Sequence, residues 1–300
     1  MTMATIDGFH YKTLSGDDSV ALNVAVGGSG PAVVLLHGFP QTHYMWREVA
    51  QDLVTEHTVI VPDLRGYGES GKPQADGPHT YSKRTMATDI VRVAGALGHE
   101  RFGLIGHDRG ALVGVRAGLD HPDKVRYLGI LDVLPTLDTW NVLRGVHAKV
   151  AWHLYLMAQP AGLPEKMIKA VAEEFFASFL DTWDTDGSTF TPEVRRHYLD
   201  SSAGAVDSIV ADFRATSGID LDLDLADREA GRTLPMPVGV LSQDWGAQLG
   251  FDPLGIWKAW AHDVTYEPID AGHYMAEEKP TEVARFIRAL AARGRTRPRP

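Results

Sequence analysis

The order of apolar and polar stretches along the chain predicts buried strands that alternate with amphipathic helices. Short runs that are almost purely apolar and β-branched are typical of parallel strands buried on both faces. Helical patterns with separate charged and apolar faces lie between them, as at 81–97 and 111–120. This alternation predicts a doubly wound α/β sheet. The predicted strands are 20–26, 32–36, 58–62, 102–106, 127–131, 237–241 and 264–268.

A long helical stretch interrupts this alternation. No buried-strand run occurs between 137 and 232, and Gly and Pro residues separate the helical patterns there. We therefore predict a core domain of residues 1–135 and 233–300, with a helical cap domain at 136–232 inserted between its two parts. An acidic alternation at 220–225 favours a solvated edge or loop over a cation site. The predicted cap helices are 139–158, 164–180, 192–199 and 205–216.

Composition narrows the classes of function. The chain carries 39 Asp and Glu against 29 Lys and Arg, a net charge of −10, which disfavours binding to nucleic acid and to anionic membranes. Cysteine is absent from the sequence, which excludes disulfides, thiolate metal sites and cysteine nucleophiles. No apolar stretch is long enough to span a membrane, and residues 1–11 show no secretory signal. We therefore expect a cytoplasmic protein.

One motif carries a candidate nucleophile. Asp108 stands in Gly106-His-Asp-Arg-Gly110, directly after a predicted strand, with the spacing of a nucleophile elbow. Functional side chains collect at the carboxyl ends of strands in open α/β sheets. The Asp108 carboxylate can attack an electrophilic carbon and form a covalent ester. Because Asp is also a favoured helix N-cap, the motif alone leaves a purely structural role open.

Two further residues turn this motif into a catalytic set. Asp132 follows the predicted strand 127–131, and His273 follows the predicted strand 264–268. The order Asp108, Asp132, His273, each after a strand, favours catalysis over a structural role for Asp108.

On these motifs the chain resembles the α/β-hydrolase superfamily. Within it, the resemblance is to the aspartate-nucleophile branch of epoxide hydrolases and dehalogenases, fluoroacetate (haloacetate) dehalogenases above all. It covers about residues 20–290. The motifs that carry it are His37-Gly-Phe-Pro-Gln-Thr-His-Tyr-Met-Trp46, Asp63-Leu-Arg-Gly-Tyr-Gly-Glu-Ser70, Gly106-His-Asp-Arg-Gly-Ala111, Leu131-Asp-Val-Leu-Pro-Thr136, Ala158-Gln-Pro160 with Leu163-Pro-Glu165, and Gly272-His273.

The resemblance implies a two-step hydrolysis. Asp108 would displace a halide or open an epoxide, and His273, oriented by Asp132, would activate water against the resulting ester. The backbone N–H groups of Phe39 and Arg109 would form the oxyanion hole. An alternative partner for His273, after the predicted strand 237–241, is Asp244 or Asp252.

The resemblance also implies a substrate pocket, which departs from the family pattern. Arg109 takes the place of the family's carboxylate-binding Arg. A second Arg of the family is replaced here by Leu112. We expect a haloacid-like substrate, with fluoride displacement weakened by lost hydrogen-bond donors. The family's halide-pocket positions correspond to His153, Leu154 and Phe213, with Trp152 close enough to line the pocket.

Two rival functions stay open. An epoxide hydrolase needs a tyrosine hydroxyl above Asp108, and Tyr155 and Tyr198 in the cap are expected to have packing roles instead. A binding or accessory protein without turnover would be favoured by a pocket blocked by Leu112, Leu154 and Phe213. We predict a small-molecule substrate, no cofactor and no metal; a homodimer is suggested by the resemblance alone. His43 and His107 are expected to be structural hydrogen-bonding residues.

Overall fold

The computed structural model describes residues 4–296, and it confirms the predicted α/β fold. Its sheet has eight strands in the order β1-β2-β4-β3-β5-β6-β7-β8. The pairs formed by β1, β2 and β4 are antiparallel, and every pair from β4 across to β8 is parallel. The strands are His10–Ser15 (β1), Ala21–Gly27 (β2), Ala32–Leu36 (β3), Thr58–Pro62 (β4), Phe102–His107 (β5), Val125–Leu131 (β6), Val238–Ser242 (β7) and Val264–Pro268 (β8).

Burial explains which strands the sequence pattern could predict. All side chains of β3, β5 and β7 are buried, in agreement with their apolar runs. The strand β1 was not predicted, because it is a polar edge strand with no fully buried residue and pairs only with β2. Because β3, β5, β6, β7 and β8 are parallel neighbours, their carboxyl ends lie side by side at one edge of the sheet.

Fourteen α-helices accompany the sheet in the part of the chain that is described. In the core, α2 packs against α3, and α1 packs against α14. The helices are Arg47–Leu53 (α1), Lys83–Ala96 (α2), Arg109–Asp120 (α3), Thr136–Val142 (α4), Trp152–Met157 (α5), Leu163–Ala170 (α6), Ala172–Thr182 (α7), Pro192–Ala203 (α8), Val206–Thr216 (α9), Ile219–Glu229 (α10), Trp245–Leu249 (α11), Pro253–Lys258 (α12), Met275–Glu278 (α13) and Pro280–Thr296 (α14).

The inserted region is more broken than its pattern indicates. The predicted helix 139–158 is wrong as one element. The helix α4 ends at Val142, a short 3₁₀-helix at Gly145–Lys149 begins with Gly145 at φ 59°, and α5 follows. The predicted helix 164–180 divides into α6 and α7 at Val171. No strand lies between β6 and β7 among the described residues, so helices alone fill this region. The division into core and cap domains stays a prediction.

The acidic alternation at 220–225 was assigned to the wrong environment. It forms the start of α10, in which Asp220, Asp224 and Asp227 are buried rather than solvated. Asp224 and Asp227 accept hydrogen bonds from the Arg116 guanidinium at 2.9 and 2.6 Å. Their spacing places them on one face of a helix, and that face docks against α3.

None of the helices within 4–296 has the length and apolar character that crossing a bilayer requires.

Candidate active site

The turn from β5 into α3 presents Asp108 at the edge where the parallel strands end. Asp108 has φ 46° and ψ −115°, a conformation that L-residues rarely adopt. Its side chain makes no capping hydrogen bond to α3, so the structural alternative of a helix N-cap is wrong. Instead its Oδ1 accepts a hydrogen bond from the Phe39 N–H at 2.9 Å. The turn thus points the Asp108 carboxylate away from its own helix and towards the loop after β3.

Of the two predicted oxyanion donors, Phe39 is the one that contacts Asp108. Arg109 begins α3, and the first N–H groups of a helix have no intrahelical acceptor. The structure gives no hydrogen bond from that N–H to the Asp108 side chain.

His273 and Asp132 are paired directly. The Nδ1 of His273 lies 2.7 Å from Oδ2 of Asp132. Asp132 also accepts hydrogen bonds from the Ser242 hydroxyl at 3.0 Å and from the Gln243 side-chain amide at 2.8 Å. The other ring nitrogen, Nε2 of His273, is buried and makes no hydrogen bond to any described residue. This leaves one nitrogen of the imidazole available to a ligand or water.

The charge on Asp132 controls the protonation of this histidine. Burial alone would lower the pKa of His273, because it disfavours the charged imidazolium. The hydrogen bond to Asp132 and the negative charges of Asp132 and Asp108 outweigh burial and raise the pKa of His273 above its ordinary value.

The alternative partners for His273 have other roles. Asp244 caps α11 by accepting a hydrogen bond from Ala247 N at 3.1 Å, and Asp252 caps α12 through Gly255 N at 2.9 Å. Both carboxylates are therefore helix caps, and Asp132 is the partner of His273.

Asp108 and His273 share a cavity of about 500 Å³. Its walls come from the strand ends and from the inserted helices. The predicted site residues that line it are Asp108, Arg109, Leu112, Asp132, His153, Leu154 and His273. A cavity of this size reaches the carboxylate of Asp108, so Leu112 and Leu154 do not fill the site.

Two of the three nitrogens of the Arg109 guanidinium are bound by Asp212. Its Nε donates to Oδ2 of Asp212 at 2.8 Å, and its Nη2 donates to the Asp212 carbonyl at 2.9 Å. Asp212 is fully buried on α9 and also accepts from Tyr67 Oη at 2.6 Å and from Lys83 Nζ. Arg109 thus enters the cavity wall already paired with a carboxylate.

His153 is a neutral polar group inside an aromatic wall. Its ring stacks on Phe39 with a centroid distance of 6.2 Å and lies 5.2 Å from the ring of Trp183. Burial is the largest influence on the pKa of His153 and lowers it to about 3. Its Nδ1 has no hydrogen-bond partner in the described chain. A neutral imidazole has one N–H and one acceptor nitrogen, so His153 can serve a ligand in either way.

Two predicted pocket residues do not line the cavity. Trp152 is 45% exposed and stacks on the outer side of Phe179, because adjacent positions of α5 point in different directions and His153 takes the inward one. The Phe213 ring is buried under the Arg109 guanidinium, 4.1 Å from its carbon, and supports the wall from behind.

The structure adds lining residues that the sequence did not indicate. Trp183 lines the cavity, with its ring 4.8 Å from that of His273. Tyr266 on β8 also lines it, and its buried hydroxyl lies beside Ser242. No local motif marks either residue, because their positions depend on how the chain folds back over the strand ends.

The remaining candidates have structural contacts. Tyr155 Oη donates to the Leu143 carbonyl at 2.9 Å, and Tyr198 Oη donates to Glu277 at 3.1 Å, so neither reaches the cavity. His43 Nδ1 lies 2.9 Å from Asp63. His107 Nε2 lies 2.8 Å from the His273 carbonyl, and burial chiefly lowers the pKa of His107 to about 3. In the described part of the chain, no three His, Asp or Glu side chains form a metal-ion site.

Comparison with known proteins identifies the family. The sequence profile for the alpha/beta hydrolase fold matches residues 31–208, which is more than half of the chain. The chain belongs to the α/β-hydrolase family. In this family the nucleophile stands on the sharp turn between a strand and a helix, where Asp108 lies here.

Relatives within the α/β-hydrolase family match over almost the whole chain. A fluoroacetate dehalogenase of Burkholderia sp. is 38% identical, with 97% of this chain and 96% of the relative covered. A soluble epoxide hydrolase of Corynebacterium sp. (strain C12) is 32% identical, with 93% and 95% covered. A Pseudomonas aeruginosa protein described as a candidate epoxide hydrolase is 41% identical in sequence. Its solved structure matches with a TM-score of 0.91 over 98% of this chain and 99% of that one. The resemblance to these two groups of hydrolases is thereby confirmed.

Proposed function

We propose that this α/β-hydrolase cleaves a carbon–halogen bond hydrolytically, with Asp108 as the nucleophile. One observation carries the proposal: Asp108 and His273 line the same cavity, and Nε2 of His273 has no partner among the described residues while Asp132 binds the other ring nitrogen. Covalent hydrolysis requires a nucleophile, a base and a group that orients the base, and these three residues would take those roles.

In the first step, a carboxylate oxygen of Asp108 attacks the carbon that bears the halogen. The carbon–halogen bond breaks, the halide leaves with the electron pair, and an ester forms between Asp108 and the substrate carbon. Asp108 needs no base for this step, because an ionised carboxylate has no proton to lose. The His153 imidazole is the hydrogen-bonding group of the aromatic wall that can stabilise the departing halide.

In the second step, water hydrolyses the ester. Nε2 of His273 takes a proton from water, and the oxygen attacks the carboxyl carbon of Asp108. The Phe39 N–H, which contacts Oδ1 of Asp108, stabilises the oxyanion that develops. The ester bond then breaks, and the proton passes from His273 to the oxygen of the alcohol. The carboxyl group of Asp108 loses its proton and is restored as a carboxylate. Overall, an organohalide and water give an alcohol, a halide ion and a proton.

Epoxide hydrolysis is the second candidate. It uses the same nucleophile and base but needs a proton donor for the epoxide oxygen. Tyr155 and Tyr198 are bound elsewhere, whereas Tyr266 lines the cavity with its hydroxyl beside Ser242. Because Tyr266 belongs to the sheet edge rather than to the inserted helices, we favour the dehalogenase.

A trapped ester distinguishes these functions. In His273→Ala the first step can proceed while hydrolysis cannot, so incubation with bromoacetamide, bromoacetate and styrene oxide should label the protein. An alkyl adduct on Asp108 with bromide released supports the dehalogenase, whereas addition of the whole epoxide mass supports the rival. Peptide mapping locates the adduct, and the double variant Asp108→Asn/His273→Ala is the control.

Absence of label would remove the proposal. If Asp108 stays unmodified with every compound while the variant remains folded, the binding or accessory role without turnover takes its place. Because the sequence has no cysteine, thiol alkylation cannot produce a false label.

A further inference from the structure

The cavity that holds Asp108 is poorly matched to an anion. The charged side chains that line it, within residues 4–296, are three carboxylates and one guanidinium: Asp108, Asp132, Asp184 and Arg109. The Asp184 carboxylate accepts hydrogen bonds from the hydroxyl and the N–H of Thr189, which carry no compensating charge. A substrate carboxylate would therefore enter a space in which acidic groups already outnumber the cation.

The guanidinium of the wall is already paired with a carboxylate. Arg109 is paired with Asp212 at 2.8 Å. Behind Arg109, Lys83 is paired with the same Asp212 and lies 3.6 Å from Asp220. Arg109 and Lys83 thus share the carboxylate of Asp212 in a buried cluster, and burial raises the pKa of the neighbouring Asp220. Leu112, which stands beside this cluster and lines the cavity, adds no positive charge.

Uncharged polar residues also line the cavity. His153 and Tyr266 line the cavity; Nδ1 of His153 is buried with no partner in the described chain, and the buried hydroxyl of Tyr266 lies beside Ser242. The low pKa of His153, about 3 because of burial, keeps this imidazole neutral at physiological pH. An unpaired buried polar group is costly, so Nδ1 of His153 indicates a ligand with neutral hydrogen-bonding atoms.

The volume and walls of the cavity indicate a long ligand. About 500 Å³ falls within the roughly 300–1,000 Å³ of pockets for drug-sized ligands, far more than a two-carbon haloacid occupies. Away from Asp108 the walls are largely apolar, with side chains from α4, α5, α11 and α12. They include Leu134, Trp140, Leu143, Val150, Leu154 and Trp257.

We propose that the substrate is an uncharged, elongated organohalide whose apolar chain carries a neutral hydrogen-bonding group, such as an amide, rather than a haloacid. This inference rests on the proposed function and departs from the haloacid expected from the sequence. The reaction is the displacement described above: Asp108 attacks the carbon, halide leaves, and water restores Asp108 and gives a hydroxyamide.

Four compounds separate charge from length. Bromoacetate, bromoacetamide, 6-bromohexanoate and 6-bromohexanamide combine each head group with each chain length. Bromide release by the wild-type protein gives kcat/KM, which is divided by the rate constant of the same compound with free acetate to remove intrinsic reactivity. We expect each amide to exceed its acid by at least about tenfold, and 6-bromohexanamide to show the largest normalised value.

A cation placed at Leu112 tests the electrostatic part. Leu112→Arg should raise kcat/KM for bromoacetate relative to bromoacetamide by at least about tenfold, because it supplies the missing positive charge. Leu112→Gln is the matched control, since it adds polarity without charge and should leave the ratio unchanged. An unchanged ratio in Leu112→Arg, or an equal change in both variants, contradicts the charge argument.

The outcomes also separate this inference from the proposed function. If the acids are the better substrates and His273→Ala is alkylated at Asp108, the function stands and the neutral substrate class is wrong. If the short compounds exceed the long ones, the inference from cavity volume is wrong. If none of the four alkylates Asp108 in His273→Ala, the proposed function and the inference fall together.

Discussion

Asp132 accepts a set of hydrogen bonds that an ionised carboxylate is suited to receive. Besides His273, its donors include the Ser242 hydroxyl, the Gln243 N–H and the Gln243 side-chain amide, the last at 2.8 Å. These contacts fix the carboxylate behind the imidazole and assign the proton of His273 to Nδ1. The free Nε2 is then an acceptor, which is the form a base needs.

This arrangement predicts a pH dependence of turnover. His273 must be neutral to accept a proton, and its pKa lies above the ordinary histidine value, so kcat should rise with pH through a midpoint above about 6.5. Asp132→Asn removes the charge that favours the imidazolium, so that midpoint should move to lower pH. The rate at neutral pH should also fall, by about 10³–10⁴-fold, as the imidazole loses its orientation.

Ser242→Ala is the control for that shift. It deletes a donor to Asp132 but leaves the carboxylate and its bond to His273 in place. Steady-state rates from pH 5 to 9 for the three proteins decide the matter. A midpoint in Asp132→Asn equal to that of the wild type would contradict the assignment of Asp132 as the group that raises the His273 pKa.

At the scale of elements, the turn from β5 to α3 depends on close backbone approach. A Cβ atom added to Gly110 would lie 2.4 Å from the His37 carbonyl oxygen and 2.6 Å from that of Leu36. Both obstacles are backbone atoms, at the end of β3 and the start of the loop that carries Phe39, so they cannot turn aside as a side chain could. The glycine therefore allows α3 to pack against the end of β3 and fixes Asp108 over the Phe39 N–H.

Gly110→Ala should destabilise the protein by about 1–3 kcal/mol and reduce turnover, because the turn must shift to relieve the overlap. Gly95→Ala is a matched control, since Gly95 lies in α2 with nothing within 4 Å of an added Cβ. That change should be neutral or stabilise by up to about 1 kcal/mol, through helix propensity alone. Urea unfolding measures both, and equal effects of the two substitutions would count against the close packing of this turn.

The type of an element could be predicted where its sequence fits one periodicity, that of a strand or that of a helix, and not the other. The apolar runs of β3 and β5 and the Gly-rich turn after β5 gave the sheet and the position of Asp108 before any tertiary information. The helix α10 could not be predicted from its acidic stretch, because alternating Asp and Leu have the two-residue period of a strand. In the structure Asp220, Asp224 and Asp227 share a helix face instead. What decided its structure was the Arg116 of α3, which is far away along the chain.

The site was predictable to a similar extent. Asp108, Asp132 and His273 each follow a strand, so sheet topology alone brings them to one edge. The placing of Trp183 and Tyr266 in the cavity depends instead on how the inserted helices and β8 approach that edge. The pairing of Arg109 with Asp212 joins α3 to α9 across a long sequence separation, which no local pattern encodes.

At the scale of the whole molecule, Asp212 connects the inserted helices to the sheet. It is fully buried on α9, and Arg109 from α3, Lys83 from α2 and Tyr67 from the loop after β4 all donate to it. Burial alone would raise the pKa of Asp212, but the charges of Arg109 and Lys83 outweigh it and hold that pKa well below its usual range. The carboxylate is therefore ionised at neutral pH, and both cations depend on it.

Asp212→Asn should destabilise the protein by about 3–5 kcal/mol, because it leaves Arg109 and Lys83 with less compensating charge in a buried place. Asp207→Ala, on the same helix, is the control: Asp207 pairs with Lys169 on the surface, and that exposed pair should contribute nothing measurable. Urea unfolding of both variants at pH 7 gives the comparison. If Asp212→Asn unfolds at the same urea concentration as Asp207→Ala, the charge of Asp212 does not stabilise the contact between α9 and the helices α2 and α3.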